Sequence, residues 1–478
     1  MHTELPLVVR AIATGVRPVR LRLPFRFGAV TLTGCPQLFI RATVEVGGTR
    51  RGVGIAAELM VPKWFDKRAE LSHADNVTQL AVSAQIAVQA YLNDAPARPF
   101  ELFARHYPAL MQQGHEQGFT DLTSAYGQAV LDRAVLDAFC RALDLSFFEV
   151  AGHNLLGLQD CALLPDLQGF DWDKWLKRLR PLRSVQARHT VGMLDELSAT
   201  HEADDDLPAS LPAVIRRYGN RVFKIKLGGE PAADVARLAE VLQVLDERAP
   251  GHRYTLDGNE QYADAAALSA LFARLAALPA FAQRPDALLY IEQPVPRDQS
   301  LQHALPAAQA PAPLLMDEAD GTLDAFMRGR DLGWRGVSSK GCKGLYKALA
   351  NRARCERWNL DAERDNEPAG FFMSAEDLTC QAGVSVQQDL AQLALLGLSH
   401  SERNGHHYAD GFGTAPQDEQ RAFAMAHRDL YESTAGHPRL AIVDGRISFD
   451  SLFKPGFARR CDVDWHTMKP LADAATMV

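Results

Sequence analysis

The sequence predicts a modified, TIM-like (β/α)-barrel with an α+β capping domain. Between about 185 and 430, short apolar runs that end in charge alternate with amphipathic stretches, which is typical of parallel strands closed into a barrel. Before this region, β-branched runs are followed by apolar residues at helical spacing, which is typical of an α+β unit. The chain of 478 residues accommodates a barrel of about 250 residues and a second domain.

The capping domain is predicted to comprise residues 1–150 together with the C-terminal segment. Residues 5–55 form β-branched runs separated by turns, one of them at Gly47-Gly48. Apolar residues recur at helical spacing over 76–92 and 121–143. Residues 431–478 return to strand and turn character, so we expect this segment to pack back on the first domain and assign the barrel to 151–430.

The barrel units follow one another without a flexible linker. The predicted strands are VFKIKL (222–227), YTLDGN (254–259), LLYIEQP (288–294), PLLMDEAD (313–320) and GVSSKG (336–341). Helix-like stretches follow them, including 234–249 after the first and LQHALPAA (301–308) after the third. The acidic run at 202–206 is interpreted as a solvated loop.

Charged residues occupy the ends of five consecutive predicted strands. They are, in order, Lys226, Asp257, Glu292, Asp317 and Lys340, at intervals of 31, 35, 25 and 23 residues. Each interval is close to one βα unit, and barrel chemistry gathers at the C-terminal ends of strands. Lys224 shares the phase of Lys226, opposite to the apolar phase, so both lysines are expected to point into the barrel. Taken alone, the K-x-K pattern would favour an exposed amphipathic strand.

Three carboxylates from neighbouring strands suit a hard cation such as Mg²⁺, which prefers oxygen ligands. Histidine or cysteine at Asp257, Glu292 and Asp317 would have indicated zinc instead. Such an ion can bind a substrate carboxylate and stabilise an enediolate as the α-proton leaves. The flanking lysines are then placed to take and return the proton, with pKa values lowered by the ion and by burial.

The same motifs resemble the enolase superfamily, in the mandelate racemase and muconate lactonizing enzyme family. They are KIK (224–226), DGN (257–259), IEQP (291–294), MDE (316–318) and SSKGCKG (338–344). The resemblance extends to 129–152 and to the C-terminal segment, and it is closest to the muconate lactonizing enzyme-like branch with lysine bases. It implies Mg²⁺, with Mn²⁺ as an alternative, a small-molecule carboxylate substrate and a homo-oligomer.

The resemblance also implies a role for each matching residue. Asp257, Glu292 and Asp317 would be the metal ligands. Lys226 would be the base on one face, tuned by Lys224, and Lys340 the acid or base on the other. The neighbouring or substrate-binding residues would be Asn259, Glu318, Glu376 and Lys343, and Glu318 could also replace Asp317 as a metal ligand. Lys343 also competes with Lys340 for the acid/base role, and Glu376 stands where mandelate racemases have a catalytic histidine.

Two N-terminal segments, 24–28 and 57–65, resemble the loops that close over the barrel mouth in this family. Arg26 and Lys63 could meet a second substrate anion. The side chains that could exclude water are Phe25, Phe27, Met60 and Trp64. The polar cluster at 400–408 could contact substrate or be a surface loop, and it contains no Asp-x-Asp of the kind expected in dipeptide epimerases.

The charge and the apolar patterning of the sequence argue against two classes, nucleic-acid-binding proteins and membrane-spanning proteins. The net charge is −8 and no basic stripe is present, so a nucleic-acid binder is not expected. No apolar stretch is long enough to span a membrane, and seven scattered cysteines without a C-x-x-C pair favour a reducing, cytoplasmic location. The predicted reaction is α-proton abstraction leading to racemisation or epimerisation, cycloisomerisation or dehydration. The alternatives are a Schiff-base lysine aldolase and a non-catalytic binding barrel.

Overall fold

The structure is a computed structural model that describes residues 5–28, 30–198, 207–367, 369–378, 381–434 and 436–478. The acidic run at 202–206 lies outside these ranges. The N-terminal part is an antiparallel sheet in the order β1-β2-β3 followed by four helices. The elements are β1 (Leu7–Phe27), β2 (Val30–Val46), β3 (Arg50–Leu59), α1 (His73–Tyr91), α2 (Pro99–Glu116), α3 (Asp121–Leu143) and α4 (Phe147–Gly152).

Helix α3 is buried along most of its length and lies directly on β3. Two glycines of β3 make this approach possible. A Cβ at Gly52 would lie 2.0 Å from the Ala138 carbonyl oxygen, and one at Gly54 would lie 2.1 Å from the Ala138 nitrogen. Both distances are far inside van der Waals contact, so the alternation R-G-V-G-I in β3 allows the helix and sheet to pack closely.

Eight parallel strands form a closed barrel, which confirms the predicted fold class. The strands are β4 (Ser184–Val191), β5 (Val222–Lys226), β6 (Arg253–Asp257), β7 (Leu288–Glu292), β8 (Leu314–Met316), β9 (Trp334–Ser339), β10 (Phe372–Ala375) and β11 (His400–Glu402). The ring closes where β11 pairs with β4, with Glu402 opposite Arg188.

Helices pack around this ring. They are α5 (Trp172–Arg178), α6 (Leu211–Tyr218), α7 (Pro231–Arg248), α8 (Ala265–Ala276), α9 (Pro279–Gln283), α10 (Ala325–Gly329), α11 (Leu345–Asp365) and α12 (Val384–Leu396). The helix predicted at 301–308 is wrong, because only a single 3₁₀ turn, Ala307–Gln309, forms after β7. Pro306 has no backbone N–H to continue a helix, and Leu301 and Leu305 pack on the barrel without one.

After the barrel come α13 (Gly405–Tyr408), α14 (Gln417–Ala426), β12 (Tyr431–Thr434), β13 (His437–Leu440) and β14 (Arg446–Ser448). Strand β14 adds to β4 in antiparallel pairing. Farther on, Lys469 exchanges two backbone hydrogen bonds with Val16 of β1, at 2.9 and 3.0 Å. The end of the chain therefore contacts the N-terminal sheet, while the exact bounds of the domains stay a prediction. No helix in the described ranges is long and apolar enough to cross a bilayer.

Candidate active site

The five charged strand ends lie where the sequence predicts them. Lys226, Asp257 and Glu292 are the last residues of β5, β6 and β7, and Asp317 and Lys340 directly follow β8 and β9. All five are buried. In the ring, β5 is the second strand and β9 the sixth, so the two lysines lie on opposite sides of an eight-stranded barrel. The three carboxylates come from the strands between them.

Lys224 lies at the centre of the barrel's carboxylates. Its Nζ is 2.9 Å from Asp257 Oδ2, 2.8 Å from Glu292 Oε1, 2.9 Å from Glu376 Oε2 and 3.1 Å from Glu402 Oε2. Burial acts to lower the pKa of Lys224, but the four carboxylates outweigh it and raise that pKa well above its ordinary value.

Lys226 faces the pocket from the β5 side. Its Nζ donates to Asp257 Oδ2 at 2.6 Å and to Asn259 Oδ1 at 2.8 Å, and it lies 5.7 Å from the centre of the Phe25 ring. Asn259 has a left-handed backbone (φ 41°), and its N–H donates to Asp257 Oδ1 at 2.8 Å. Backbone strain of this kind is found where surrounding structure imposes it, often in active sites. The turn after β6 thus orients both Asp257 and Lys226.

Lys340 faces the pocket from the opposite side. Its Nζ is 2.7 Å from Asp317 Oδ2 and 4.4 Å from the centre of the Trp64 ring. Although burial opposes it, Asp317 raises the pKa of Lys340, and Lys340 and Lys343 in turn hold the pKa of Asp317 well below its ordinary value. The lowering of the pKa expected from the sequence supposes a bound cation beside the lysine, and for Lys340 it stays a prediction.

Lys343 is placed differently from Lys340. Its Nζ donates to the Asp317 carbonyl at 2.9 Å, to Ser338 Oγ at 2.7 Å and to Asp320 Oδ2 at 3.2 Å. Lys340 lines the pocket, whereas Lys343 is not among the lining residues. Of the two candidates for the second acid/base group, the geometry favours Lys340.

Beside these lysines, two buried carboxylate oxygens have no hydrogen-bond partner among the described residues: Glu292 Oε2 and Glu318 Oε2. Burial, followed by the charges of Asp257 and Glu376, raises the pKa of Glu292 well above its ordinary value. The oxygens of Asp257, Glu292 and Asp317 do not all lie within 4.8 Å of one another. Lys224 bridges the first two, and Lys340 and Lys343 bind the third.

Gln293 orients Asp317 although its role is not evident from the sequence. It is fully buried with a left-handed backbone (φ 32°). Its side-chain oxygen accepts from the N–H groups of Asp317 and Ala319 at 2.9 and 3.1 Å, and its amide donates to Val295 O and Ser300 Oγ. The IEQP motif therefore contributes both a candidate ligand and the side chain that fixes the next strand end.

The site also contains two acidic residues, Glu402 and Asp377, that were not selected from the sequence. Glu402 accepts from Thr190 Oγ1 at 2.6 Å and from the Asp377 N–H at 3.0 Å, in addition to its contact with Lys224. Both residues line the pocket. Glu402 ends an apolar-to-polar run as the other strand ends do, but its strand has only three residues within the polar cluster at 400–408. Glu376 ends buried against Lys224, Arg188 and Tyr290.

The remaining wall of the pocket is apolar and comes mainly from the N-terminal domain. It consists of Phe25, Phe27, Leu32, Val61, Trp64 and Leu378. Met60 is buried but is not a lining residue.

Arg26 and Lys63, which could meet a second substrate anion, are not among the residues that line the pocket. Arg26 is exposed and its Nε donates to the Gly28 carbonyl at 3.3 Å. The Lys63 ammonium is bound by the carbonyls of Arg68, at 2.6 Å, and Leu71. Neither cation faces the pocket.

Comparison with known proteins places this geometry in a family. A model of the enolase C-terminal domain-like family matches residues 206–451. No curated protein sequence matches the chain. Among solved structures, an enolase from Streptomyces coelicolor is 16% identical, with a TM-score of 0.59 and coverage of 98% of this chain and 97% of that one.

Two other solved structures contain ligands. An enolase from Bradyrhizobium, in complex with magnesium and mandelic acid, is 16% identical with a TM-score of 0.57 and coverage of 96% and 97%. A dipeptide epimerase from Enterococcus faecalis, in complex with Mg and the dipeptide L-Leu-L-Tyr, is 14% identical with a TM-score of 0.54 and coverage of 94% and 98%. At these identities the likeness shows the shared fold.

Proposed function

The chain belongs to the enolase C-terminal domain-like family of the enolase superfamily, and on that premise we propose that it is a divalent-metal-dependent enzyme that removes a proton α to a substrate carboxylate. The single observation that carries the proposal is the placement of Lys226 and Lys340 on opposite sides of one pocket. Each ammonium lies beside a carboxylate and an aromatic ring. A substrate carbon held between them could lose a proton to one face and regain it from the other.

The residues present fit a hard cation. The donors at the three strand ends are carboxylates, which Mg²⁺ and Mn²⁺ accept. Glu292 Oε2 is buried and has no hydrogen-bond partner in the part of the chain that the structure describes, so this oxygen is available to bind an ion. Asp257, Glu292 and Asp317 would hold the ion, which when bound neutralises the negative charge of an enediolate.

Three lysines would donate the proton, remove the proton and neutralise the buried carboxylates, respectively. Lys340, whose pKa is raised, is suited to donate a proton as the ammonium form. Lys226 would take the α-proton as the free amine, with Asn259 Oδ1 orienting its Nζ. Lys224 would keep the buried acidic side chains of the barrel interior partly neutralised, including Glu376 and Glu402.

The pocket wall supports a substrate class as part of this proposal. Phe25, Phe27 and Trp64 present aromatic surface above the lysines, and the cations expected to bind a second anion face elsewhere. A monocarboxylic acid with an apolar or aromatic substituent suits this wall better than a dicarboxylate, because an unpaired second carboxylate would lose its hydration there.

Exchange of the α-proton with solvent tests the proposal. Purified protein with Mg²⁺ is incubated in D₂O with a panel of α-chiral monocarboxylic acids, and deuterium incorporation is followed by proton NMR. We expect exchange with at least one acid bearing an apolar substituent. Exchange should stop when EDTA removes the metal and resume when Mg²⁺ is restored. Deuterium in an inverted product indicates an epimerase or racemase, and an unsaturated product indicates a lyase.

Exchange that persists fully in EDTA would contradict the metal-dependent mechanism and favour the Schiff-base alternative. That alternative needs a neutral lysine, Lys226 or Lys340, as nucleophile, and it leaves the three strand-end carboxylates without a role. Borohydride would trap a covalent adduct on lysine if it operated. A non-catalytic barrel would bind no Mg²⁺ and exchange no proton with any acid.

A further inference from the structure

A second cluster of titratable side chains lies outside the barrel interior. His189 comes from β4, Asp195 from the loop that follows β4, and His407 from the short helix α13 after β11. One ligand atom from each lies within 4.8 Å of the other two, and in the described ranges this is the one group of three such residues that meets this distance. His189 and His407 are 1% and 2% exposed.

The cluster is separated from the pocket by the barrel wall. The side chains of Arg188 and Thr190 point inward, to Glu376 and Glu402 respectively. Because successive strand residues point to opposite faces, His189 between them points outward. Its ring lies 5.2 Å from that of His407. The cluster thus shares no side chain with the carboxylate site.

The buried imidazoles of this cluster have unmet bonding capacity. His189, His406 and His407 are all buried, and a neutral imidazole ring offers one lone pair to a ligand. Neither ring nitrogen of His407 makes a hydrogen bond of normal geometry to a described residue, although the Pro208 backbone is close enough for a poorly aligned hydrogen bond with the ring. A buried polar ring without a partner costs free energy, which a ligand at this point would recover.

The surrounding residues orient the cluster as an outer shell orients metal ligands. Tyr408 Oη lies 2.9 and 3.0 Å from the two carboxylate oxygens of Asp195, and the Gly192 N–H donates to Oδ2 at 2.8 Å. His406 Nε2 lies 3.2 Å from His189 Nδ1, and such a contact fixes the tautomer of a ligating ring. In tetrahedral zinc sites with bonds of about 2.0–2.1 Å, ligand atoms lie about 3.4 Å apart, so small side-chain rotations would close this group around an ion.

We propose that His189, Asp195 and His407 form a second metal site, for a borderline-soft divalent ion of the Zn²⁺ type, on the outer face of the barrel. Two imidazoles and one carboxylate are a donor set for zinc, whereas Mg²⁺ and Ca²⁺ prefer oxygen alone. The three ligands tie the loop after the first barrel strand to the turn after the last one, at the seam where the ring closes.

The site would also brace the pocket wall. The Tyr408 ring packs on the Phe25 ring with centroids 4.6 Å apart, and Phe25 lines the pocket beside Lys226. His407 precedes Tyr408 in the chain, and Asp195 accepts a hydrogen bond from the Tyr408 hydroxyl. An ion held by His407 and Asp195 would therefore fix the position of Tyr408 against Phe25. The proposed role is therefore structural and does not depend on the function proposed for the carboxylate site.

Metal binding to full-length protein tests this inference. Protein stripped with a chelator is saturated with Mg²⁺ and titrated with Zn²⁺, and the zinc retained after gel filtration is measured together with the midpoint of thermal unfolding. We expect one tightly retained zinc per chain and a rise in the unfolding midpoint. Co²⁺ in place of Zn²⁺ should give the intense visible absorption of a four-coordinate site, which needs no variant to interpret.

The variants His407→Gln and Asp195→Asn should each weaken zinc binding by at least about 100-fold, because even outer-shell changes cost 10–100-fold. His427→Gln is the matched control: His427 is also fully buried but lies elsewhere, 2.9 Å from Ser451 Oγ, and the variant should retain zinc. Glu292→Gln should retain zinc too, which separates this site from the carboxylate centre. The absence of retained zinc in the wild type, or equal retention in His407→Gln, would overturn the inference.

Discussion

Lys226→Met should lower turnover by about 10²–10⁴-fold, the range that a positioned acid or base contributes. Lys226 lines the pocket and is the residue proposed to take the α-proton, and methionine keeps the length of the side chain without a proton acceptor. If the reaction uses both lysines, solvent exchange should be lost for the substrate enantiomer whose proton faces Lys226. Exchange of the opposite enantiomer, through Lys340, should be affected less. Single-turnover exchange in D₂O on each enantiomer measures both rates.

The Lys226→Met variant loses both a positive charge and a proton acceptor, and a second variant is needed to tell which loss lowers turnover. Asp257 keeps a second cation in Lys226→Met, since Lys224 remains 2.9 Å away. Lys226→Arg retains the positive charge, but a guanidinium does not deprotonate in proteins, so it should be as inactive as the methionine variant. Lys174→Met, at an exposed position of α5, controls for the substitution itself. Substantial exchange in Lys226→Arg would refute the role of Lys226 as base.

Glu292→Gln should abolish measurable Mg²⁺ binding and lower turnover by about 10³-fold or more, a loss of several kcal/mol of charge stabilisation. The substitution removes the central of the three strand-end carboxylates while keeping its size and one acceptor oxygen. It also removes one negative charge from a crowded, buried group. We therefore expect the unfolding midpoint of the metal-free protein to be unchanged or higher, whereas Mg²⁺ should no longer raise it.

Loss of Mg²⁺ binding together with an undiminished stability of the metal-free protein distinguishes a metal ligand from a residue that only supports the fold. Isothermal titration with Mg²⁺ gives the affinity, and thermal unfolding with and without Mg²⁺ gives the stabilisation. Glu247→Gln, an exposed change on α7, is the matched control and should behave as wild type. If Glu292→Gln binds Mg²⁺ with wild-type affinity, Glu292 is not a ligand.

The parts of the fold that follow from periodicity could be predicted from the sequence. The strand ends at Lys226, Asp257 and Glu292 could be predicted because a charged residue follows an apolar run at each of them. Helix 121–143 is readable because its apolar residues recur at helical spacing, and α3 has those bounds. In both cases the local pattern and the buried face coincide.

Other features depend on contacts between distant residues and could not be read locally. Strand β11 has only three residues and lies within a polar run, so no apolar pattern in the sequence marks Glu402 as a strand end. Its place in the barrel follows from the pairing of β11 with β4. The pKa directions of Lys224 and Lys340 depend on how many carboxylates surround each ammonium, which spacing does not reveal. The cluster of His189, Asp195 and His407 joins residues about 200 positions apart, across the seam of the ring.

The anomalous signal of Mn²⁺ in crystals soaked with a manganese salt would locate the proposed metal site between the three strand-end carboxylates, since Mn²⁺ accepts the same oxygen ligands as Mg²⁺. We expect one strong peak bounded by the carboxylates of Asp257, Glu292 and Asp317, with Lys226 and Lys340 on opposite sides of it. A fully occupied soak that shows no peak at that point, with Lys224 still bridging Asp257 and Glu292, would contradict this expectation.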